Sequence, residues 1–295
     1  MTRQPSRPAN SAKPDTDTPP GPQVNSRTDK RIRVGVGGWT YEPWRNNFFP
    51  QGLPHSRELE YASRRLSAIE VNSTYYGTLK PASFKKWHDE TPDDFVFSLK
   101  ASRYATNRRL LADAGESNTR FVESGISELG RKLGPIVWQL MPGKLFEATD
   151  LEAFLALLPR QIDGQALRHV LDVRHESFMT PDYLALARRY QVATVFTDAD
   201  KFPSLADLTA DFVYARLMLS EAGLAAGYAD AALDAWAGRA RTWAAGGAPD
   251  DLPSLDEPQP AGPRDVFIYF INGAKEKAPA AAMALLSRLG FQPAA

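Results

Sequence analysis

Eight short apolar runs, each followed by a stretch of helical periodicity, limit what this chain of 295 residues can fold into. The runs are "IRVGVGG" from Ile32, "AIEVNST" from Ala68, "FVFSLKA" from Phe95, "PIVWQL" from Pro135, "HVLDVR" from His169, "VATVFT" from Val192, "FVYARL" from Phe212 and "VFIYFI" from Val266. β-branched and aromatic residues dominate them, and their length suits strands rather than helices. Between them lie "SRELEYASRRL", "SFKKWHDE", "NTRFVESGISELGRKL", "TDLEAFLALL", "PDYLALARRY", a short "PSLADL", "DAALDAWAGRARTWA" and "APAAAMALLSRL". These read as helices, with starts expected at Ser56, Asn118, Thr149 and Thr180, the last just ahead of Pro181. Eight βα units with short connections predict an α/β fold of the (β/α)8 TIM-barrel type. The competing doubly wound sheet would carry a glycine-rich phosphate turn after its first strand. Here "GVGGWTYEPW" supplies Gly35, Gly37 and Gly38, then Trp39, and no third glycine opens a helix.

The barrel is expected over 31–295. Residues 1–30, rich in Pro, Ser, Thr and charge, have too little apolar surface to order themselves and read as a disordered tail. A similar stretch, "GGAPDDLPSLDEPQPAGPR" at 246–264, reads as a long surface loop. Lys+Arg and Asp+Glu balance at 35 each, so no global field draws the chain to nucleic acid or to an anionic membrane. There is no cysteine, which excludes disulfides and thiolate chemistry and fits a reducing cytoplasm. No apolar run approaches the roughly 18 residues of a membrane span, so a soluble protein without a membrane partner is expected.

Barrel enzymes place their active sites at the carboxyl ends of the strands. Those ends carry Trp39 and Tyr41, Glu70 and Asn72, Lys100, Gln139, then Asp172, Arg174 and His175, then Thr197 and Asp198, Arg216, and Asn272. Asp172 and Arg174 are two apart and so face the same way, toward the barrel mouth.

The segments "VGVGGWTYEPWRNNFFP", "IEVNSTYYGT", "TPDDFVFSLKASR", "LGPIVWQLMP", "LDVRHESF" and "FIYFINGAKEKAP" resemble, in order, the motifs of the YecE-like family, domain of unknown function 72. The resemblance runs from about Arg31 to the end and implies a TIM barrel, but no reaction. It implies that Trp39, Tyr41, Trp44, Glu70, Asn72, Lys100, Gln139, Arg174, His175 and Asn272 occupy motif positions. Many members resemble "RLHG" after the seventh strand, whereas "ARLMLS" keeps Arg216 and puts Met218 where the histidine would stand.

Each rim residue has a functional and a structural reading. Lys100 contacts an anion or, if desolvated, forms a Schiff base; otherwise it pairs with Glu70. Glu70 and Asp172 form a general acid–base pair, or they offset Lys100, Arg174 and Arg216. His175 shares in catalysis, or joins Glu70, Asp172 or Asp198 around Mg²⁺, Mn²⁺ or Zn²⁺, or hydrogen-bonds a carboxylate; no HxH or HExxH spacing supports a metal, and no cofactor is favoured. Trp39, Tyr41, Trp44, Tyr75 and Tyr76 stack on a ligand or pack as an aromatic lid. The favoured reading is an enzyme of hydrolase, lyase or isomerase type acting on a small anionic substrate. Glu70, Asp172, Lys100 and His175 would be catalytic, and Trp39, Tyr41, Asn72, Gln139, Arg174, Arg216 and Asn272 would bind substrate. The alternative is a module that binds nucleic acid or a nucleotide through the same rim without turnover.

Overall fold

Successive residues of a strand face opposite ways, and that alternation divides the apolar residues of this chain between two cores. The computed structural model describes residue 1 and residues 31–257 and 262–292; the tail expected over 1–30 lies, beyond Met1, outside the described residues. Strands β1 (Ile32–Gly37), β2 (Ala68–Val71), β3 (Val96–Lys100), β4 (Leu133–Gln139), β5 (His169–Asp172), β6 (Ala193–Thr197), β7 (Phe212–Leu217) and β8 (Asp265–Phe270) coincide with the eight apolar runs. They pair in parallel, in chain order, and β8 closes the barrel on β1 through pairs such as Val34 with Ile268.

Helices α1 (Glu58–Ser63), α2 (Pro81–Glu90), α3 (Gly115–Val122), α4 (Ala148–Ala156), α5 (Pro181–Arg189), α6 (Asp230–Ala244) and α7 (Ala278–Arg288) surround the strands. None is long and apolar enough to cross a membrane. On β5 the outward Leu171 joins the outer core beneath the helices, while the inward Val170 meets Val137, Ala193, Tyr214, Phe267 and Tyr269 inside the barrel. Ile32, Val34 and Val36 of β1 face the outer core, which puts Gly35 and Gly37 on the inward face after Arg33. A Cβ at Gly35 would stand 1.9 Å from the carbonyl oxygen of Ala68, so β1 and β2 approach as closely as they do only because that side chain is absent.

Thr180 caps α5, its Oγ1 accepting from Tyr183 N at 3.3 Å. Three of the expected starts need correction. Ser56 lies in a 3-10 turn, His55–Arg57, just before α1. Glu147, not Thr149, caps α4, its carboxylate accepting from Thr149 N and Asp150 N. Asn118 is inside α3 and buried, because Gly115 starts that helix a turn earlier. "PSLADL" forms no helix. So short a segment nucleates poorly alone, and its polar groups bond instead to the loop from 246. Ala206 N donates to Pro253 O, and the Asp207 carboxylate accepts from Leu255 N and Asp256 N.

His169 opens β5 on its outer side. Its Nδ1 accepts from Trp138 Nε1 at 3.1 Å, which leaves the proton on Nε2 to donate to Pro159 O at 2.7 Å. Burial, only partly opposed by the Pro159 carbonyl, holds the ring neutral and pushes its pKa from 6.5 down to about 4. The unfolded chain therefore takes up this proton first as pH falls. Nothing is lost above about pH 6.5; below it stability declines, and the loss is complete below about pH 4, where it reaches roughly 3 kcal/mol. Urea melts between pH 7 and 4.5 should show this slope in the parent and a flatter one in His169→Gln; equal slopes would refute the assignment.

Candidate functional site

Inward positions at the carboxyl ends of β2, β4, β5 and β7 bring Glu70, Gln139, Asp172 and Arg216 into one hydrogen-bonded network. Arg216 is its centre. Its Nη2 donates to Glu70 Oε1 at 3.0 Å and its Nη1 donates to Asp172 Oδ2 and, at 3.2 Å, to Gln139 Oε1. Burial works against the guanidinium charge, but Glu70 and Asp172 outweigh it and raise its pKa. Glu70, with no exposed surface, also accepts from Tyr214 OH at 2.8 Å. Burial and the neighbouring Glu70 push the Tyr214 phenol far above its ordinary value, so it is a fixed donor.

Arg174 extends the network outward. Its Nη2 donates to Asp172 Oδ2 at 3.0 Å and to Gln139 Oε1 at 2.9 Å, and its guanidinium carbon lies 4.5 Å from the centre of the Phe202 ring. No hydrogen bond among the described residues engages Arg174 Nη1.

Lys100 ends β3 two residues after Ser98, which bonds Tyr269 OH across the barrel interior at 2.7 Å. Thr74 Oγ1 donates to the Lys100 carbonyl at 2.7 Å and fixes the backbone there. The side chain does not make the alternative pairing with Glu70, whose oxygens bond Arg216 and Tyr214 instead. Among the described residues the Lys100 amine makes no hydrogen bond or salt bridge, and it lies 4.1 Å from the centre of the Tyr75 ring. Burial, with Arg216 and Arg174 adding to it and Glu70 and Asp172 opposing, brings its pKa down from 10.5 to about 8.

Not every rim residue joins in. His175 Nδ1 bonds Ser177 Oγ at 2.9 Å and accepts from Ser177 N, so the ring caps a short turn and bonds no carboxylate. Asp198 accepts from Met218 N and from Tyr228 OH, and burial raises its pKa. Met218 thus enters this second polar group through its backbone, with Tyr228 supplying the side chain. Asn272 is exposed and contributes its carbonyl, which accepts from Ser220 Oγ. Asn72 lies against Gly37, where a Cβ would come 3.1 Å from its Nδ2. Trp39 packs edge-on against Trp87 and Phe97, and Tyr41 against the fully buried Trp44. These rings form a lid over the outer core, whereas Tyr75 sits beside Lys100. Among the described residues no group of three or more His, Asp or Glu side chains is arranged to hold a metal ion.

Tyr214 escaped the sequence reading because an aromatic residue in an apolar strand reads as core. The signal was its place two residues before Arg216 in "FVYARL", which sets both on one face. A cavity of about 310 Å³, lined in part by Arg188, Asp207 and Arg264, sits beside the 206–211 segment that leads into β7, away from the strand ends.

The chain has counterparts of this shape. A DUF72 family protein of Thermotoga maritima superposes with a TM-score of 0.65 at 19% identity, over 88% of this chain and 99% of that one. A DUF72 family protein of Enterococcus faecalis gives 0.63 at 17% identity, over 88% and 98%. The UPF0759 protein YecE of Escherichia coli K12 is 27% identical over 150 residues, half of this chain and half of that protein. The family described as "Protein of unknown function DUF72" matches residues 33–295, nearly all of the barrel, and the chain belongs to that family.

Proposed function

We propose that this protein is an enzyme acting on a small phosphate- or carboxylate-bearing substrate by acid–base chemistry at the carboxyl-terminal rim of its barrel. One observation carries the reading. Both buried carboxylates of the rim are engaged by Arg216, Arg174 and Tyr214, while the nearby Lys100 amine has no acceptor among the described residues. A cation left over in a site whose anions are already neutralised favours an anionic ligand. Lys100 and the unengaged Nη1 of Arg174 would receive it. Asp172 and Glu70 would move protons, with Arg216, Gln139 and Tyr214 holding them in place. The absence of cysteine fits a reducing compartment such as the cytoplasm. We favour this over a nucleic-acid module because Trp39 and Tyr41 are packed against neighbouring rings rather than presented to a base.

The test is thermal melting with and without tens of millimolar phosphate at constant ionic strength. A ligand that binds only the folded state raises Tm, here by about 2–4 °C for millimolar binding. Lys100→Met and Arg174→Met should lose that response. Arg174→Met should remain folded, because Asp172 keeps its bond to Arg216. An undiminished phosphate response in both variants would defeat the anion site. Oligonucleotide binding that weakens steeply with salt would favour the nucleic-acid reading instead.

A further inference from the structure

We infer that the substrate of this rim is a carbonyl compound, and that Lys100 captures it covalently as an imine. This rests on the anion site just proposed and adds to it the group on which the chemistry takes place.

A lysine that serves only as a buried charge is expected to have an acceptor, because an unpaired ammonium away from water is costly. Lys100 is 7% exposed, and the carboxylates that would have served it are bonded to arginines and to Tyr214. The amine is still reachable. Lys100 Nζ is not among the fully buried polar atoms without a partner, which include Asn118 Nδ2, Arg216 Nε and Trp243 Nε1, so this unpartnered nitrogen keeps some contact with solvent. The tether is fixed by strand pairing with β4 and by Thr74, and the Tyr75 ring covers one side of the amine. The result is a nitrogen held on a rigid element, slightly exposed and unclaimed by any acceptor among the described residues.

Its protonation supports the geometry. A lysine brought to about 8 is roughly one-tenth neutral at pH 7, some 300-fold more than an ordinary one. The neutral nitrogen adds to the carbonyl carbon, one proton passes from nitrogen to oxygen, and water leaves to give the imine. The overall change is amine plus carbonyl to imine plus one water, with no oxidant or reductant. Asp172, near enough to act electrostatically on Lys100, is suited to carry the proton between nitrogen and departing oxygen, and Arg174 to hold the substrate's anionic group. A protonated imine withdraws electrons from the adjacent carbon, the activation that a lyase or isomerase needs.

The experiment is reductive trapping on the full-length protein. Pyruvate, with acetone as its uncharged counterpart, is added at pH 7 with sodium cyanoborohydride, and modified lysines are located by peptide mass spectrometry. The exposed Lys80 and Lys86 serve as internal references. The expected result is that pyruvate labels Lys100 at least about ten-fold faster than either reference, a margin well inside the neutral-amine advantage. Labelling of Lys100 no faster than the references with both probes would overturn the imine. If the phosphate response of the previous section nevertheless depends on Lys100, the anion site survives that failure. If acetone labels Lys100 as selectively as pyruvate, the imine stands and the anion site falls.

Discussion

Arg216→Met should be the most damaging single change at the rim, lowering stability by about 3–5 kcal/mol. The reason lies in what it leaves behind. Glu70 and Asp172 are almost wholly buried, and among the described residues Arg216 is the only guanidinium that touches both. Without it, Glu70 keeps one bond from Tyr214, and Asp172 keeps Arg174, which is nearer the surface. Methionine fills the apolar part of the side chain, so the loss comes from uncompensated charge rather than from a void. Replacing Glu70 with Gln in the same background should recover part of it by removing one of the stranded charges. Urea denaturation of the three proteins at pH 7 measures this; a loss near that of an exposed ion pair, below about 1 kcal/mol, would show that the network is dispensable for folding.

Gly35→Ala should have the second largest effect, a loss of about 3 kcal/mol or more. Its added methyl group would collide with backbone, the Ala68 carbonyl at 1.9 Å, and neither strand can yield without disturbing the ladder between Gly35–Ala68 and Gly37–Glu70. Overpacking against side chains commonly costs about 1–3 kcal/mol, and backbone yields less readily. Gly238 is the matched control. It lies on the exposed face of α6 with open space where its Cβ would be, so Gly238→Ala should gain about 0.5–1 kcal/mol by helix propensity. Denaturation midpoints moving in the same direction for both substitutions would contradict the argument from close approach.

The barrel was legible because its determinant is local. β-branched and aromatic runs of strand length, alternating with amphipathic segments, leave few ways to bury both faces of each strand, and every run holds its strand. Helix starts were less legible. Asn118 and Thr149 have the chemistry of a cap, but a cap is fixed by where the backbone turns, and Glu147 reached the free amides first. At the rim, period-two alternation placed Glu70, Gln139, Asp172 and Arg216 on one side, facing inward. It said nothing about which carboxylate each arginine would choose, since those contacts cross the barrel: Arg216 and Glu70 are 146 positions apart. Arg174 and His175 both follow β5, where the alternation no longer fixes direction: Arg174 turns back onto Asp172, and His175 turns to Ser177. The isolation of Lys100 was invisible for the same reason, being the remainder of pairings made by residues distant in sequence.

The closure of β8 on β1 has a consequence for any shortened form of this protein. A chain that stops before Asp265 leaves β1 paired only with β2, and β7 paired only with β6. Both then become open edges, with rows of amide and carbonyl groups ready to accept a strand from another molecule. Deleting the last strand would therefore yield sticky, self-associating material rather than a smaller soluble barrel. The ring is indivisible, and a proteolytic fragment lacking β8 is expected in the insoluble fraction.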